Sequence, residues 1–144
     1  MNTEPFVIER LLDAPAEKVW KAITDKDQIK QWYFNLPEFR PEVGFEFSFT
    51  GTGNTGVTYV HLCTITGVIP GRTLSHTWQY KDIPGHSVVT FELFPKGNKT
   101  KLKLTHESLA SFAASGQDFA KESFAAGWTY IVGTSLKNFL AKEN

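Results

Sequence analysis

Cysteine and methionine are almost absent, with Cys63 and Met1 the only examples in 144 residues. One thiol excludes an internal disulfide and a thiolate metal cluster, and it fits a reducing compartment. Charge of neither sign is in excess, since 15 Lys and Arg stand against 15 Asp and Glu. A balanced chain has no global field to recruit nucleic acid or anionic lipid, so neither is expected as a partner. No apolar run approaches the length of a membrane span, and Met1-Asn2-Thr3-Glu4-Pro5 has neither a basic n-region nor an apolar h-region. The expectation is a soluble cytoplasmic protein. Gly51 to Gly56 is glycine-rich but lacks the lysine and the strand-to-helix context of a phosphate loop, which argues against nucleotide binding. There is no glycine-flanked nucleophilic serine, no His-Glu-x-x-His helix and no internal repeat.

Aromatic residues are abundant: they make up 14% of the chain, including twelve Phe and four Trp. That is more than a minimal core requires, so the excess should line either a tight core or a cavity. With 41% hydrophobic residues the chain can bury about two thirds of its unfolded surface as one domain, residues 1–144.

The longest helical period runs from Gly116 to Lys142. Phe124, Trp128, Ile131, Val132, Leu136 and Phe139 recur at helical spacing, and Ser135 fills the same face. Ser115 and Asp118 form a capping-box pattern at its start. A helix of this length would span about 35 to 40 Å. Gly127 and Gly133 are anomalous inside it, since each costs roughly 1 kcal/mol relative to alanine. They imply a close backbone approach, a slight kink, or space left for a ligand.

Before this helix, Phe6 to Leu12 reads as a strand. Pro15 to Thr24 reads as a short helix with Val19, Trp20 and Ile23 facing inward, and Lys26 to Trp32 as a second one started by Asp25 and Gln28. Tyr33 to Pro41 is a loop with scattered aromatics. Val43, Phe45, Phe47 and Phe49 then alternate as a strand. Strands follow over Val57 to Ile69, Thr73 to Tyr80, Ser87 to Phe94 and Thr100 to His106, with turns at Pro70-Gly71, Pro84-Gly85 and Pro95 to Asn98. One strand, two helices, five strands and a long helix imply an α+β fold in which a curved antiparallel sheet closes over the last helix.

Three of the four histidines offer candidate chemistry. His61 and Cys63 share a strand face with His76 or His106 within reach, but the spacing matches no recognised zinc site, and no metal is expected. His76, Tyr80 and His106 each share a face with apolar residues, as polar anchors in a pocket or as a general acid and base would. The local alternative is a core polar group satisfied by its neighbours. A pocket between sheet and helix would be lined on the helix by Phe124, Trp128, Ile131, Val132 and Ser135. On the strands it would be lined by Phe47, Trp78, Phe91 and Leu104, with His76, Tyr80 and His106 fixing a polar end.

The segment Ala14-Pro15-Ala16-Glu17-Lys18-Val19-Trp20-Lys21-Ala22-Ile23-Thr24-Asp25, followed by Ile29 and Trp32, resembles the opening of the START-like superfamily, also called SRPBCC. Leu74, Trp78, Thr100 to His106, and Gly127-Trp128 ahead of Leu136 and Leu140 resemble the branch named for the activator of the heat-shock protein 90 ATPase. The resemblance implies the helix-grip fold, often built around an apolar cavity, and it carries no shared catalytic residue set. Members include lipid carriers, hormone and allergen-type binders, polyketide cyclases and chaperone activators. The expected function is binding of a hydrophobic small molecule of lipid, polyketide or aromatic type, with no metal and no cofactor. A chaperone-interacting module with a stress-response role and a cyclase or aromatase-type enzyme are the alternatives. The chain carries no separate N-terminal domain like that of the full-length activator, so alone it is expected not to stimulate the chaperone.

Overall fold

A computed structural model describes residues 5–33, 36, 38–52, 56–109, 111, 112, 116 and 119–142. Strand β1 spans Phe6–Leu12, followed by helices α1 (Ala16–Thr24) and α2 (Lys26–Trp32). Strands β2 (Glu46–Thr52), β3 (Thr58–Ile69), β4 (Thr73–Tyr80), β5 (Ile83–Lys96) and β6 (Lys99–Glu107) come next. They form one antiparallel six-stranded sheet in the order β1-β6-β5-β4-β3-β2, so the first strand is added beside the last of the meander.

The period-2 pattern decides which side chains face the core. β4 alternates without exception, burying Leu74, His76, Trp78 and Tyr80. Antiparallel register then aligns the inward positions in rows, one of them being Ile8, Leu104, Phe91 and Leu74 across four strands. The adjacent row runs Phe6, His106, Val89, His76 and Ile65, which sets two buried histidines on either side of one valine.

The C-terminal helix crosses this face. It runs unbroken as α3 (Lys121–Tyr130), a π-helical segment (Ile131–Leu136) and α4 (Lys137–Lys142), about 33 Å in all. It begins later than the expected Gly116, because Ala120 is still extended. The Ser115 and Asp118 capping pattern lies outside the described residues. The main buried stripe steps by four, Phe124, Trp128, Val132, Leu136 and Leu140, with Phe139 buried beside it. An i+4 repeat overshoots the 3.6-residue turn, and the wider i→i+5 segment takes up the excess so that the stripe stays on the sheet.

Two local expectations are corrected. The β4–β5 turn falls at Lys81 and Asp82, with Asp82 at φ 63°, and Pro84-Gly85 lies inside β5. Gly85 is needed because a Cβ there would collide with the ring of Phe112. Val43 belongs to the turn before β2, ahead of Gly44 at φ 92°, and is 68% exposed. The overall arrangement is the α+β helix-grip fold: a curved antiparallel sheet and two short helices around a long C-terminal helix. Among the described residues, no helix is long and apolar enough to cross a membrane.

Candidate functional site

The corner between α1 and α2 is built by Asp25, whose carboxylate accepts from the backbone N–H of Asp27 at 2.8 Å and Gln28 at 3.4 Å. The indole N–H of Trp32 donates to the carbonyl of Ala22 at 2.9 Å, tying the second helix to the first. The C-terminal helix holds the same corner, since the Ser135 hydroxyl donates to the carbonyl of Trp32 at 2.5 Å. These bonds fix Ile23, Ile29 and Trp32 over the sheet, and Tyr33, Leu36 and Phe39 continue the cover toward β2.

Beneath them is a cavity of about 20 Å³ whose floor is Phe47, Leu74, His76 and Phe91. Its walls are carbon apart from Trp32, Tyr33 and His76. Burial raises the Tyr33 phenol well above its usual pKa, with smaller contributions from Cys63 and Tyr80. The His76 ring is buried, with Phe47 edge-on at 5.2 Å. Its Nδ1 lies 2.8 Å from the Thr77 carbonyl, which can only accept, so Nδ1 carries the proton and Nε2 keeps a lone pair. Burial lowers this histidine to about 4, so it is neutral at physiological pH.

His106, in the same row, is wholly engaged. The Trp128 indole N–H, a donor only, points at Nδ1 over 3.1 Å, which leaves the proton on Nε2. Nε2 meets Ser87 Oγ at 2.8 Å, and the Ser87 hydroxyl donates to the Trp78 carbonyl at 2.8 Å. Ser87 and His106 are therefore within the distance of a nucleophile and its base, but the bond runs the wrong way: histidine donates and serine passes its own proton to the backbone. Both residues are fully buried. Burial, with the nearby His76 adding to it, draws His106 down to about 3. This is a structural network, and it gives the sheet a polar centre with every donor matched.

His61 lies flat on Phe49, with ring centroids 4.4 Å apart, and edge-on to Trp78. Burial lowers it to about 4, and burial likewise pushes the Cys63 thiol up. Among the described residues, no three of His, Cys, Asp and Glu come together as metal ligands.

Of the residues expected to line a pocket, the cavity brings together Phe47, His76 and Phe91. Trp78 and Tyr80 bond each other, indole N–H to phenol oxygen at 2.8 Å. Leu104 lies fully buried in the sheet, and Phe124 packs on His106. Trp128 stacks obliquely on Trp78 at 5.5 Å, Val132 is fully buried, and Ile131 is half-buried beside the core. Ser135 is taken up by Trp32. The cover residues Trp32, Tyr33, Leu36 and Phe39 had no site role in the sequence reading; the signal available was a loop unusually rich in aromatics.

The fold and sequence have relatives. Protein MLL2253 from Mesorhizobium loti is 27% identical, with a TM-score of 0.78 over 98% of this chain and 99% of that one. CalU16 from Micromonospora echinospora is 26% identical, with a TM-score of 0.70 over 94% and 73% of the two chains. DynU16, a protein in the dynemicin biosynthetic locus, shares the fold at 19% identity and a TM-score of 0.80, with this chain spanning about half of its length (49%). No curated protein matches the sequence. The family model for Activator of Hsp90 ATPase homolog 1-like protein matches residues 13–141, nearly the whole sequence, and the chain belongs to that family.

Proposed function

We propose that residues 1–144 act as a single domain in the cytoplasm that binds a hydrophobic small molecule beneath α1 and α2, on the floor formed by Phe47, Leu74, His76 and Phe91. The observation that carries this reading is the composition of the cavity: apolar and aromatic walls with one histidine lone pair, the make-up of a small-molecule site. At about 20 Å³ the space takes one water, so a ligand must displace part of the cover. Tyr33, Leu36 and Phe39 are the movable part, because they belong to neither helix nor strand, whereas the floor is held by the sheet ladders. Occurrence of the fold in the dynemicin biosynthetic locus supports a ligand of polyketide or aromatic type.

Native mass spectrometry of freshly purified protein, followed by a lipid, flavonoid and polyketide panel read by tryptophan emission, tests the proposal. Trp32 lies in the wall, so binding should change its emission. A panel that produces no binding overturns the reading.

The family match favours a second reading, interaction with a heat-shock chaperone. It would use the outer surface, where Leu11 and Phe94 flank Lys101 in one cross-strand row. A dose-dependent rise in the chaperone's ATPase rate that is lost in Leu11→Glu and kept in cavity variants would establish it.

A further inference from the structure

We infer that the site selects ligands carrying a neutral aromatic hydroxyl, a phenol-type O–H that donates to Nε2 of His76. The inference rests on the small-molecule reading above and specifies its ligand.

His76 and His106 occupy one cross-strand row, yet only one is closed. His106 spends both ring nitrogens, on Trp128 and Ser87. His76 spends Nδ1 on the Thr77 carbonyl, and among the described residues nothing donates to Nε2. A water could occupy about 20 Å³, where Nε2 and the Tyr33 phenol are polar groups of the walls, and a ligand hydroxyl would take its place on Nε2. The Trp32 indole cannot help, because its N–H is given to the Ala22 carbonyl. A lone pair so placed is matched best by a donor brought in on an apolar body.

The chemistry of the pocket narrows that donor. No lysine or arginine lines the cavity, so a carboxylate would be buried without a counter-charge. An ammonium would be desolvated likewise. An ether or ketone would set its own lone pair against that of Nε2. Neutral donors remain, and among them a phenol-type O–H, more acidic than an indole or amide N–H, donates most strongly to an imidazole nitrogen. The rings of Trp32, Tyr33, Phe39, Phe47 and Phe91 around it favour a flat aromatic carrier.

The test is calorimetric titration of the full chain at pH 7.5 with 2-naphthol, 2-methoxynaphthalene and 2-naphthoate. 2-Naphthol should bind at least about 10-fold more tightly than its methyl ether, the ratio expected for one buried hydrogen bond, and 2-naphthoate should bind worst. In His76→Phe, with its fold checked by amide NMR spectra, the preference for naphthol over the ether should vanish. Should that variant not fold, the wild-type series decides alone. Equal binding of naphthol and ether by the wild type overturns the inference while leaving the small-molecule site standing, as does a preference that survives in His76→Phe. No binding by any of the three overturns the inference, and a blank across the wider panel as well removes the site reading itself.

Discussion

Trp128 does two jobs that different substitutions separate. Its ring packs between Trp78 and Phe91, and its N–H satisfies His106. Trp128→Phe keeps most of the ring but leaves a buried Nδ1 without a donor, an expected loss of about 1 to 3 kcal/mol. Trp128→Ala adds a cavity and should cost about 3 to 5 kcal/mol. Urea midpoints of the two variants measure the difference, and a midpoint unmoved by Trp128→Phe would mean that the indole bond contributes nothing. The burial of Trp128 was legible from its place in the apolar stripe. Its partner was not, because only the β5–β6 register brings His106 beneath it.

At the scale of the element, the C-terminal helix carries two small residues with opposite consequences. A Cβ added at Gly127 meets nothing within 4 Å, so this glycine serves neither close packing nor ligand space. Gly127→Ala should raise stability by about 0.5 to 1 kcal/mol, through helix propensity alone. Ser135, by contrast, supplies the hydroxyl that holds the end of α2. Ser135→Leu removes that bond and crowds the Trp32 carbonyl, for an expected loss of about 1 to 3 kcal/mol. Thermal melts of the two variants should therefore move in opposite directions. A stabilised Ser135→Leu would mean that the helix faces open space at this point, as one reading of the sequence allowed. Gly133 differs again, since the Arg10 side chain of β1 lies 3.3 Å from where its Cβ would be.

For the whole molecule, three buried histidines make acid the weak point. His61 and His76 are held near 4 and His106 near 3, all below the ordinary value of 6.5, chiefly by burial. Below about pH 6.5 the unfolded chain therefore binds protons that the folded chain refuses, and stability falls as pH falls until each folded-state value is reached. Each histidine costs up to about 1.4 kcal/mol per pH unit, so two units of acid can consume most of a typical 5 to 15 kcal/mol. Cooperative unfolding is expected between about pH 6 and 4, followed by circular dichroism. Constant urea stability from pH 7 to 4.5 would contradict the burial of these rings.

The order of elements, the inward faces of the strands, the two short helices and the apolar stripe of the last helix were all determined by sequence, because periods of 2 and 3.6 are local properties that a core must obey. The Asp25 cap was readable for the same reason, being a contact across three residues. Tertiary structure alone decided what the polar core residues do. Ser135 meets Trp32 across 103 positions and Trp128 meets His106 across 22, and no local pattern carries such pairings. The position of the cavity was decided the same way. It depends on how α1, α2 and the aromatic cover settle on the sheet, so that His76 is left with a free lone pair while His106, an equally apolar-flanked histidine two strands away, is closed by its neighbours.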